Sequence, residues 1–600
     1  MNIKYDVIVI GAGHAGIEAA SASARVGAKT CLITKSLENL GELSCNPSIG
    51  GVAKGIIVKE VDALGGIMGK AIDKAGIHFK ILNKSKGPAV WGPRAQADRD
   101  LYKKAISDII LNHENLDLVY EEVDDLIIKD NAAIGVISKS GKIFANSVII
   151  TTGTFLNGVM HIGKEQSGGG RAGEAPSKKL AITLKNLGLK LGRLKTGTPA
   201  RINKSSIQWD ILEKQMGDKN PQPFSEINDK IMQEQIPCYI TYTNEETHEI
   251  VKRNKSLSPI LSGQINSIGP RYCPSIEDKI TRFHDKNRHQ IFLEPEGLQS
   301  DLIYPNGIST SLPKDIQEQF IKSIKGLEHA KIENFGYVIE YDFLDPRYLK
   351  ETLESKKINN LYFAGQINGT TGYEEAAGQG LIAGANAALK CDSKELILTR
   401  ENSYIGVMIN DLTTFGTQEP YRMMTSRAEY RIKLRADNAI ERLSGVAESL
   451  GMLDTQMLKK IEENKLKESE LMQKLKENQQ KSSQNIFHLL NNKDTFIQNI
   501  QELLPKLENV NDRLLSRIIS KNIYKDYEKR LEKDIEILNN DRKILIPKSM
   551  DFSKIAGISN EIKEKLNIYS PKTVAEIKQI QGITPTAVIA IILYIKKQTK

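Results

Sequence analysis

A strand followed at once by a glycine-rich turn and a small-residue helix opens the chain, and this feature constrains the fold more than any other. Residues 5–10 read YDVIVI, an apolar run of strand length, and the chain continues GAGHAGIEAASASA. Gly11 allows a tight turn, Gly13 lets the backbone approach a pyrophosphate, and Gly16 brings the helix close to the strand. Because the first N–H groups of a helix are free to bind an anion, the segment predicts a dinucleotide site in an α/β fold.

The second strand lacks the acidic residue that usually holds the ribose of the dinucleotide. It reads AKTCLIT, and Thr34 and Lys35 stand where an Asp or Glu is expected. The sequence therefore leaves the ribose contact open.

Two later stretches indicate which dinucleotide the fold holds. Residues 146–155 (NSVIITTGTF) read as a buried strand that ends in glycine, and residues 359–388 read as a strand, a glycine-rich turn and a small-residue helix. A return to the first domain so late in the chain is the habit of FAD folds rather than of simple NAD dehydrogenases, so we expect an inserted segment between the two halves. The alternative is that Gly365, Gly369 and Gly372 only make turns in an ordinary α/β sheet.

Length and composition bound the remaining possibilities. A chain of 600 residues exceeds the roughly 250 to 300 at which a single core stops growing, so we expect several domains. An odd number of cysteines, five, without a secretory leader favours free thiols in a reducing compartment, and we expect a cytoplasmic protein. The longest apolar run, residues 586–595, is about half the roughly 20 residues that a membrane span needs. The net charge of +9 suits a polyanionic partner, or solubility alone.

Two cysteines lie in settings that favour reactivity. Cys45 lies in GELSCNPSIGGVAKG, a loop rich in Gly, Asn and Pro just past the second strand, and Cys273 lies two residues after Arg271 in GPRYCPSIEDK. A nearby cation makes a thiol more acidic and therefore more nucleophilic. No two cysteines have the spacing of a zinc site, so no metal is expected. The other cysteines are interpreted as small buried hydrophobic residues: Cys31, Cys238 and Cys391.

Basic residues concentrate in two stretches. Residues 82–102 surround Trp91 with Gly-Pro turns and cations, which predicts an anion-binding and stacking loop. Its cations are Lys84, Lys86, Arg94 and Arg99. Further on, Arg427, Arg431 and Arg435 recur every four residues, which predicts a helix face with an arginine stripe. The alternative is a helix laced by ion pairs to neighbouring acids.

The composition changes after about residue 440. Residues 440–545 are rich in Lys, Glu, Gln and Leu with almost no Gly, which is typical of long solvated helices. The final segment repeats a Gly-Ile pair followed by Ser559 or Thr584 as a helix N-cap, with Pro585 at the first position of the last helix. These features predict a small helical bundle.

The motifs together resemble one family over about residues 5 to 440. They are GAGHAGIEAA, SCNPSIGGVAKG, EVDALGG, KGPAV, RAQADR, SGGGRAGE, GRLKTGTPARI, PCYITYTNEETH, GPRYCPSIEDK, IFLEPEGL, YPNGISTSLP, EYDFLDPR, FAGQINGTTGYEEA and EPYRMMTSRAEYR. In this order they resemble the MnmG/GidA family of FAD-dependent tRNA uridine-modifying proteins. Where that family often carries a KYEGYI-like segment, this chain has KDYEKRL at 525–531.

Motifs and resemblance predict an α/β fold: a Rossmann-like FAD-binding domain with an inserted α+β domain and a C-terminal all-helical region. The expected domains are 1–200 and 341–400 for the two parts of the FAD-binding domain, 201–340 for the inserted NADH and substrate domain, 401–545 for the helical tRNA and partner region, and 546–600 for a small helical bundle that docks the partner GTPase.

The resemblance also implies an activity. The family, with the GTPase MnmE, adds a (carboxymethyl)aminomethyl group to C5 of the wobble uridine of certain tRNAs. It uses FAD recycled by NADH, a one-carbon unit from methylenetetrahydrofolate, and glycine or ammonium as the amine. The partners implied are therefore tRNA and MnmE, with a homodimer and a heterotetramer with the GTPase, and no membrane.

By the same resemblance, the two essential cysteines of the family fall on Cys45 and Cys273. C5 of uracil is a poor nucleophile until a group adds to C6, and a thiolate can make that addition. Which cysteine attacks is open; Cys273 is favoured, with Cys45 assisting.

The FAD-binding positions implied by the resemblance fall on Gly11, Ala12, Gly13, His14, Ala15, Gly16, Val123, Ser177 and Gln366. The segment attributed to NADH includes Gly269, Pro270, Arg271, Tyr272, Pro274 and Phe283. Because it also contains Cys273, we expect the nicotinamide and the uridine to use one face of the flavin in turn.

Two other functions stay open from the residues alone. One is a folate- and FAD-dependent C5-methyltransferase of a tRNA T-loop uridine, which shares the flavin fold but lacks a long helical C-terminal region. The other is a non-catalytic, FAD-containing adaptor for tRNA or a GTPase. The long C-terminal region speaks against the first, and the presence of both thiols speaks against the second.

Overall fold

The computed structural model describes residues 5–265, 267–271, 274–481, 512–542, 544–547, 550–580 and 582–598. The chain divides into two compact units, Met1–Ile518 and Ile519–Lys600. The strands among the described residues are β1 (Tyr5–Ile10), β2 (Thr30–Thr34), β3 (Ser48–Gly50), β4 (Gly76–Leu82), β5 (Gly92–Ala97), β6 (Leu116–Tyr120), β7 (Val123–Lys129), β8 (Ala132–Ser138), β9 (Gly141–Ile150), β10 (Val159–Ile162), β11 (Glu165–Gly168), β12 (Leu191–Thr198), β13 (Arg201–Asn203), β14 (Glu213–Gln215), β15 (Cys238–Tyr242), β16 (Gln290–Pro295), β17 (Leu302–Asn306), β18 (Ile332–Asn334), β19 (Tyr337–Leu344) and β20 (Leu361–Phe363).

The α-helices of the same residues are α1 (His14–Arg25), α2 (Lys54–Ala63), α3 (Met68–Ala75), α4 (Arg99–Leu111), α5 (Lys178–Asn186), α6 (Glu245–Arg253), α7 (Ile276–Arg282), α8 (Lys314–Lys322), α9 (Tyr373–Leu389), α10 (Tyr404–Asn410), α11 (Ala439–Ser449), α12 (Thr455–Lys481), α13 (Asp512–Arg542), α14 (Asn560–Tyr569), α15 (Val574–Gln579) and α16 (Pro585–Gln598). A π-helical turn, Asp411–Phe415, continues α10.

A largely parallel sheet forms the centre of the first unit. β6, β2, β1, β9 and β20 lie side by side in parallel, and β9 continues into an antiparallel meander with β8 and β7. The inner strands are buried runs of Val and Ile, as expected for a parallel sheet covered on both faces. In the last pair of the sheet, Tyr362 of β20 lies opposite Ile149 of β9. The late strand therefore completes the sheet that β1 begins, which confirms the expected α/β fold with an inserted segment.

Small residues let the first helix and the late helix touch along their backbones. A Cβ on Gly380 would lie 2.1 Å from the carbonyl oxygen of Ala15, and one on Gly384 would lie 2.2 Å from that of Ala19. Both distances are far below van der Waals contact, so α1 and α9 pack this closely only because these positions are glycine. The contact fixes the helix after the late glycine-rich turn beside the helix after the first one.

An antiparallel sheet with a core of its own interrupts the central fold. Its strand order is β14-β15-β16-β17-β13-β18. Its core includes Ile202, Leu293, Ile303 and Phe320. β12 and β19 belong to a separate four-stranded sheet of order β11-β10-β19-β12 and pair along their whole length, from Leu191 opposite Leu344 to Thr198 opposite Tyr337. The inserted α+β domain is confirmed as a part of the fold, while the expected domain limits stay predictions.

The arginine stripe predicted around residue 430 is wrong. After a short 3₁₀ turn at Thr425–Arg427 the chain runs through turns, with no helix until α11. Arg435 is buried; it pairs with Asp437 at 3.1 Å and donates to the carbonyl oxygen of Ile432. Arg427 lies over the ring of Tyr421. The arginines stabilise turns by bonding to backbone carbonyls and to rings, so their four-residue spacing does not correspond to a helix face.

Long helices dominate the C-terminal part, as predicted. α12 and α13 cover the described portions of the Lys- and Glu-rich region. In the second unit, Ser559 accepts a hydrogen bond from the N–H of Ile562, and Thr584 accepts one from the N–H of Ala587. Both predicted N-caps are therefore confirmed, with Pro585 at the first position of α16. In the part of the chain that the structure describes, no helix has the length and apolar character of a membrane span.

Candidate active site at the carboxyl edge of the sheet

A cavity of about 550 Å³ opens at the carboxyl edge of the parallel sheet. The ends of four strands reach it, with Gly11 after β1, Thr34 at the end of β2, Thr152 after β9 and Gly365 after β20. Open α/β sheets bind their ligands at this edge. The candidate site therefore lies where the topology predicts it.

The first glycine-rich turn has the compressed geometry that a pyrophosphate requires. Gly11 has φ +99°, and a Cβ on Gly16 would lie 1.8 Å from the Gly11 carbonyl oxygen. A Cβ on Gly13, which lines the cavity, would meet no atom of the described residues within 4 Å. The first turn of α1 carries no acidic side chain, so its positive end is available to an anion.

The predicted FAD positions come together around this cavity. Of the predicted residues, those that line it are Gly11, Ala12, Gly13, His14, Ala15, Val123, Ser177 and Gln366. Gly16 stands behind the turn and packs against Gly11. The open space at Gly13, the free helix end and the two glycine-rich turns fit a dinucleotide such as FAD. The role of each residue in binding FAD stays a proposal.

His14 is a neutral, aromatic part of the wall. Its ring stacks on that of Tyr373 with centroids 4.6 Å apart. Burial lowers its pKa to about 4, against the opposing effect of the Glu374 and Glu42 carboxylates. Histidine at this position therefore carries no charge at neutral pH and does not add to the positive potential of the helix end.

A buried ion-pair cluster joins α2 to the start of α9 at the edge of the cavity. The Lys54 ammonium lies 3.0 Å from Glu374 and 2.8 Å from Glu375. Glu374 also accepts from the N–H of Gly50, and Glu375 accepts from the N–H of Met423. Burial lowers the pKa of Lys54, but the two carboxylates outweigh it and hold that pKa above its ordinary value. The cluster fixes the GGVAKG loop against the late glycine-rich turn.

An acidic residue lies just past the strand next to β2, with its carboxylate bonded to the N–H and the hydroxyl of Ser140. Glu121 follows β6, its N–H donates to the Thr34 carbonyl oxygen at 2.9 Å, and both residues line the cavity. Lys35 pairs with Glu122 at 2.7 Å. Sequence reasoning missed Glu121 because it contains no sign that β6 lies beside β2. Glu121 is thus a candidate for the ribose contact that β2 lacks.

Cys45 lies at the same cavity, half-buried. Its Sγ lies 3.2 Å from the hydroxyl oxygen of Tyr304 and 3.9 Å from the carbonyl oxygen of Gly197. Its backbone N–H donates to the hydroxyl oxygen of Tyr373 at 2.7 Å. The thiol therefore faces the cavity with a hydroxyl group at hydrogen-bond distance.

Arg201, from the inserted domain, holds the loop of Cys45 in place. Its guanidinium donates to the carbonyl oxygens of Ser44 and Cys45 at 3.3 and 3.0 Å. It lies 4.9 Å over the ring of Tyr304 and pairs with Glu296 at 3.0 Å. The position of the thiol is therefore set by both domains together.

The other cysteines differ in exposure. Cys31 and Cys238 are buried, as expected, and burial raises the pKa of Cys238 to about 12. Cys391 is exposed, so its prediction as a buried residue is wrong. It lies in the 3₁₀ turn Lys390–Asp392 that follows α9, at the end of the packed helix.

The described residues of the segment predicted to bind NADH are not part of the lining of this cavity. Gly269 packs near the side chain of Lys195, and the preceding residue, Ile268, forms a bridge with Leu194 of β12. Phe283 follows α7 and is half exposed. Arg271 and Pro274 flank two residues, Tyr272 and Cys273, that lie outside the described residues. Of the two predicted catalytic thiols, the structure therefore places Cys45 alone, and Gly269, Pro270, Arg271, Pro274 and Phe283 do not appear among the cavity residues.

Sequence reasoning assigned no role to several other residues of the cavity wall. Tyr304, Asn306 and Tyr373 line it, as does Arg94, which was predicted only as part of an anion-binding loop. The available signal was polar residues in the strand motif YPNGIS and at the helix start in GYEEA. That signal does not show which cavity a side chain faces.

Known proteins match the chain along almost its whole length. Residues 6–395 match the family model Glucose inhibited division protein A, and residues 534–600 match the tRNA modifying enzyme MnmG/GidA C-terminal helical bundle. The tRNA uridine 5-carboxymethylaminomethyl modification enzyme MnmG of a Nitratiruptor species is 50% identical over 620 residues, which covers 100% of this chain and 99% of that protein. Aquifex aeolicus GidA is similar in two crystal forms, with TM-scores of 0.87 and 0.86 at 45% and 44% identity, over 98% of this chain and 99% and 98% of those chains. The chain belongs to the MnmG/GidA family.

Proposed function

We propose that this chain is an enzyme that modifies C5 of the wobble uridine in tRNA by adding a (carboxymethyl)aminomethyl group. The relative that is 50% identical over its full length is named for this modification. The observation that carries the proposal is the half-buried Cys45 thiol at the wall of a cavity whose glycine-rich turns fit a dinucleotide. A nucleophile and a redox cofactor site thus share one cavity.

The proposed cofactor is FAD, with NADH as reductant and methylenetetrahydrofolate as the one-carbon donor. Gly11 to Ala15, Val123, Ser177 and Gln366 would hold FAD, and Glu121 is the added candidate for its ribose. FAD, when bound, supplies two-electron redox chemistry beside Cys45. We keep the segment from Gly269 to Phe283 as the proposed NADH contact, because the family resemblance supports it.

The proposed role of the thiols follows from the chemistry of uracil. A thiolate adds to C6 and places the electron pair on the C5–C4–O4 enolate, which makes C5 nucleophilic. C5 then attacks the methylene carbon of methylenetetrahydrofolate as one of its bonds to a folate nitrogen breaks, C5 loses its proton to a base, and the C6–S bond breaks to restore the ring. The amino group of glycine displaces the second folate nitrogen from the methylene carbon, which releases tetrahydrofolate and forms the C–N bond of the product. Cys273 remains the favoured attacker with Cys45 assisting, and both roles are proposals.

Polar groups around Cys45 hold its sulfur and its backbone in place. The Tyr304 hydroxyl lies 3.2 Å from Sγ, at hydrogen-bond distance from the sulfur. Burial raises the pKa of Tyr373 well above its ordinary value, so its hydroxyl stays protonated while it accepts from the Cys45 N–H. The Arg201 guanidinium, paired with Glu296, fixes the loop through its hydrogen bonds to the two carbonyl oxygens.

We further propose tRNA and the GTPase MnmE as partners, a homodimer, a heterotetramer with the GTPase, and a cytoplasmic location. The match of residues 534–600 to the C-terminal bundle of the family supports a docking role for that bundle. Light scattering of the purified protein with and without the GTPase tests both assemblies.

The decisive experiment is mass spectrometry of wobble nucleosides. Unmodified tRNA is incubated with the protein, MnmE, GTP, potassium, methylenetetrahydrofolate, NADH and glycine. Cys45→Ser and Cys273→Ser are expected to lose the C5 product, whereas Cys391→Ser, whose thiol is exposed on the surface, is expected to keep it.

Three other outcomes would contradict part of this proposal. A methyl group on a T-loop uridine would favour the methyltransferase. A protein that retains FAD and binds tRNA but makes no product would favour the adaptor. A Cys273→Ser protein that also fails to reduce its flavin with NADH would make the role of that cysteine structural.

A further inference from the structure

One wall of the cavity carries polar side chains that the dinucleotide turns do not account for. Tyr304 and Asn306 lie two residues apart on β17, so their side chains share a face of the strand. Both line the cavity, and the Tyr304 hydroxyl contacts the sulfur of Cys45. Asn306 is therefore displaced by roughly 7 Å along the strand from the residue that touches the thiol.

A buried carboxylate orients Asn306 and a nearby arginine. Glu294 of β16 is fully buried. Its Oε1 accepts from Arg94 Nη2 at 2.6 Å, from Gln96 Nε2 at 2.9 Å and from Asn306 Nδ2 at 3.2 Å. Arg94 Nη2 also lies 3.4 Å from the hydroxyl of Ser48. A buried carboxylate that accepts several hydrogen bonds fixes the orientation of each donor side chain.

Both oriented side chains keep hydrogen-bonding capacity. Asn306 retains its carbonyl oxygen and one N–H hydrogen, and Arg94 retains its Nε and Nη1 groups; within the described ranges none of these has a hydrogen-bond partner. Since both residues line the cavity, this capacity is available to a ligand. An amide with one acceptor and one donor complements the N3–H and O4 edge of uracil, and a guanidinium complements a phosphate.

We propose that Asn306 and Arg94, oriented by Glu294, form the subsite that holds the wobble uridine, with Asn306 on the base edge and Arg94 on a backbone phosphate. The inference rests on the proposed function and adds the residues that recognise its substrate. The amide edges of a pterin and of nicotinamide share the chemistry of the uracil edge. The Cys45 thiol, which contacts Tyr304 on the same strand as Asn306, favours the uridine, and the experiment separates the three.

The test measures binding of the FAD-loaded protein to a synthetic anticodon stem-loop that carries uridine or 3-methyluridine at the wobble position. Asn306→Ala is expected to weaken binding of the uridine form by roughly 5- to 100-fold, the range for a lost two-point base contact. In the unaltered protein, 3-methylation of the uridine removes the N3–H donor and is expected to weaken binding. In Asn306→Ala the partner of that donor is already missing, so the methyl group is expected to weaken binding little further. An equal effect of the methyl group in both proteins would overturn the proposal.

Asn203→Ala is the matched control. Asn203 lies in the same antiparallel sheet and donates its amide to a carboxylate, Glu333, at 2.8 Å, but this pair is exposed. It is expected to leave stem-loop binding unchanged. Retained flavin absorbance and an unchanged Tm show that Asn306→Ala has folded.

Arg94→Gln tests the phosphate contact. Removing one cation from the interface is expected to make the slope of log Kd against log salt shallower by roughly 0.7 to 1. An unchanged slope would remove Arg94 from the subsite.

Two further measurements distinguish the ligands. NADH-driven flavin reduction and methylenetetrahydrofolate affinity are expected to be unchanged in Asn306→Ala. If stem-loop binding is kept, slower flavin reduction would assign the amide to the nicotinamide, and weaker methylenetetrahydrofolate binding would assign it to the pterin. Either result would make the uridine assignment wrong. Because binding is read without turnover, a failure of the proposed reaction in the unaltered protein does not affect these readings.

Discussion

At the level of single residues, the absence of a side chain decides the shape of the dinucleotide site. Gly11 takes a left-handed conformation that costs glycine little, and Gly16 leaves no space for a methyl group against the Gly11 carbonyl. Gly13 faces open space instead. Each of the three glycines of the motif is thus required for a different physical reason, and substituting them one at a time should give different effects.

Gly16→Ala is expected to abolish retention of FAD. Its Cβ would lie 1.8 Å from the Gly11 carbonyl oxygen, so the turn or the helix must move away from the pyrophosphate position. The measurement is flavin absorbance per protein after gel filtration, together with Tm.

Gly445→Ala in α11 is the control, since a Cβ there meets no described atom within 4 Å. It is expected to keep flavin and to leave Tm unchanged or slightly raised, because alanine favours a helix by up to about 1 kcal/mol over glycine. Full flavin content in Gly16→Ala would contradict the geometric argument.

At the level of elements, buried charges connect segments that hydrophobic contacts alone would not align. Lys54 sits at the start of α2 and pairs with two carboxylates at the start of α9. The loop that carries Cys45 directly precedes Lys54 in the chain, and the turn that carries Gln366 directly precedes the two carboxylates. The cluster therefore joins two segments that both line the cavity.

Lys54→Met is expected to destabilise the protein by about 3 to 5 kcal/mol, because it leaves two buried carboxylates without their cation. The measurements are the urea-unfolding midpoint, which should fall, and the dissociation constant of FAD, which should rise.

Lys252→Met is the comparison, since Lys252 pairs with Glu249 at 2.9 Å on an exposed helix face. Exposed pairs contribute roughly 0 to 1 kcal/mol, so we expect little change. Equal effects of the two substitutions would mean that the buried cluster does not contribute as argued.

At the scale of the whole molecule, one loop ties the helical region to the dinucleotide fold. Glu226 is buried and lies 3.1 Å from Arg517 of α13. It also accepts from the amide of Asn464 in α12, and its N–H donates to Asp62 of α2. Burial raises the pKa of Glu226, but Arg513 and Arg517 outweigh it and lower that pKa to about 2.

Glu226→Gln is expected to loosen the attachment of α12 and of the start of α13. The pKa of Glu226 is lower in the folded state than in the unfolded state, so its stabilisation is present above the ordinary pKa of 4.5 and is lost as the pH falls toward 2. The shift corresponds to about 3 kcal/mol at neutral pH. The urea midpoint of the variant should therefore lie well below that of the unaltered protein at pH 7, and the gap should narrow below pH 4.5.

Asp229→Asn provides the control for this prediction. Asp229 pairs with Lys460 of the same α12 at 2.7 Å, but its side chain is 61% exposed. We expect the urea midpoint of Asp229→Asn to equal that of the unaltered protein at each pH. A gap between Glu226→Gln and the unaltered protein that is the same at every pH would contradict the assigned charge effect.

Features that depend on residues close in the chain could be predicted from the sequence. The strand, turn and helix at the N-terminus, the late strand and its helix, and the caps at Ser559 and Thr584 all follow from local patterns of glycine, apolar and capping residues. The arginine spacing around residue 430 failed because a spacing of one residue type does not include the backbone partners that those side chains find.

The sequence by itself determined the parallel α/β fold, the site of its dinucleotide turn and the presence of a reactive-looking thiol in a loop, because each is written in contiguous residues. Only the tertiary structure decided what faces that thiol. Tyr304 meets Cys45 across 259 residues of sequence, and Asn306 and Arg94 meet at one carboxylate, Glu294, that the sequence does not mark. Such meetings depend on strand order and on how the inserted domain packs against the sheet. These contacts between residues far apart in the chain result from burial and charge pairing in the whole fold, so no local sequence pattern predicts them.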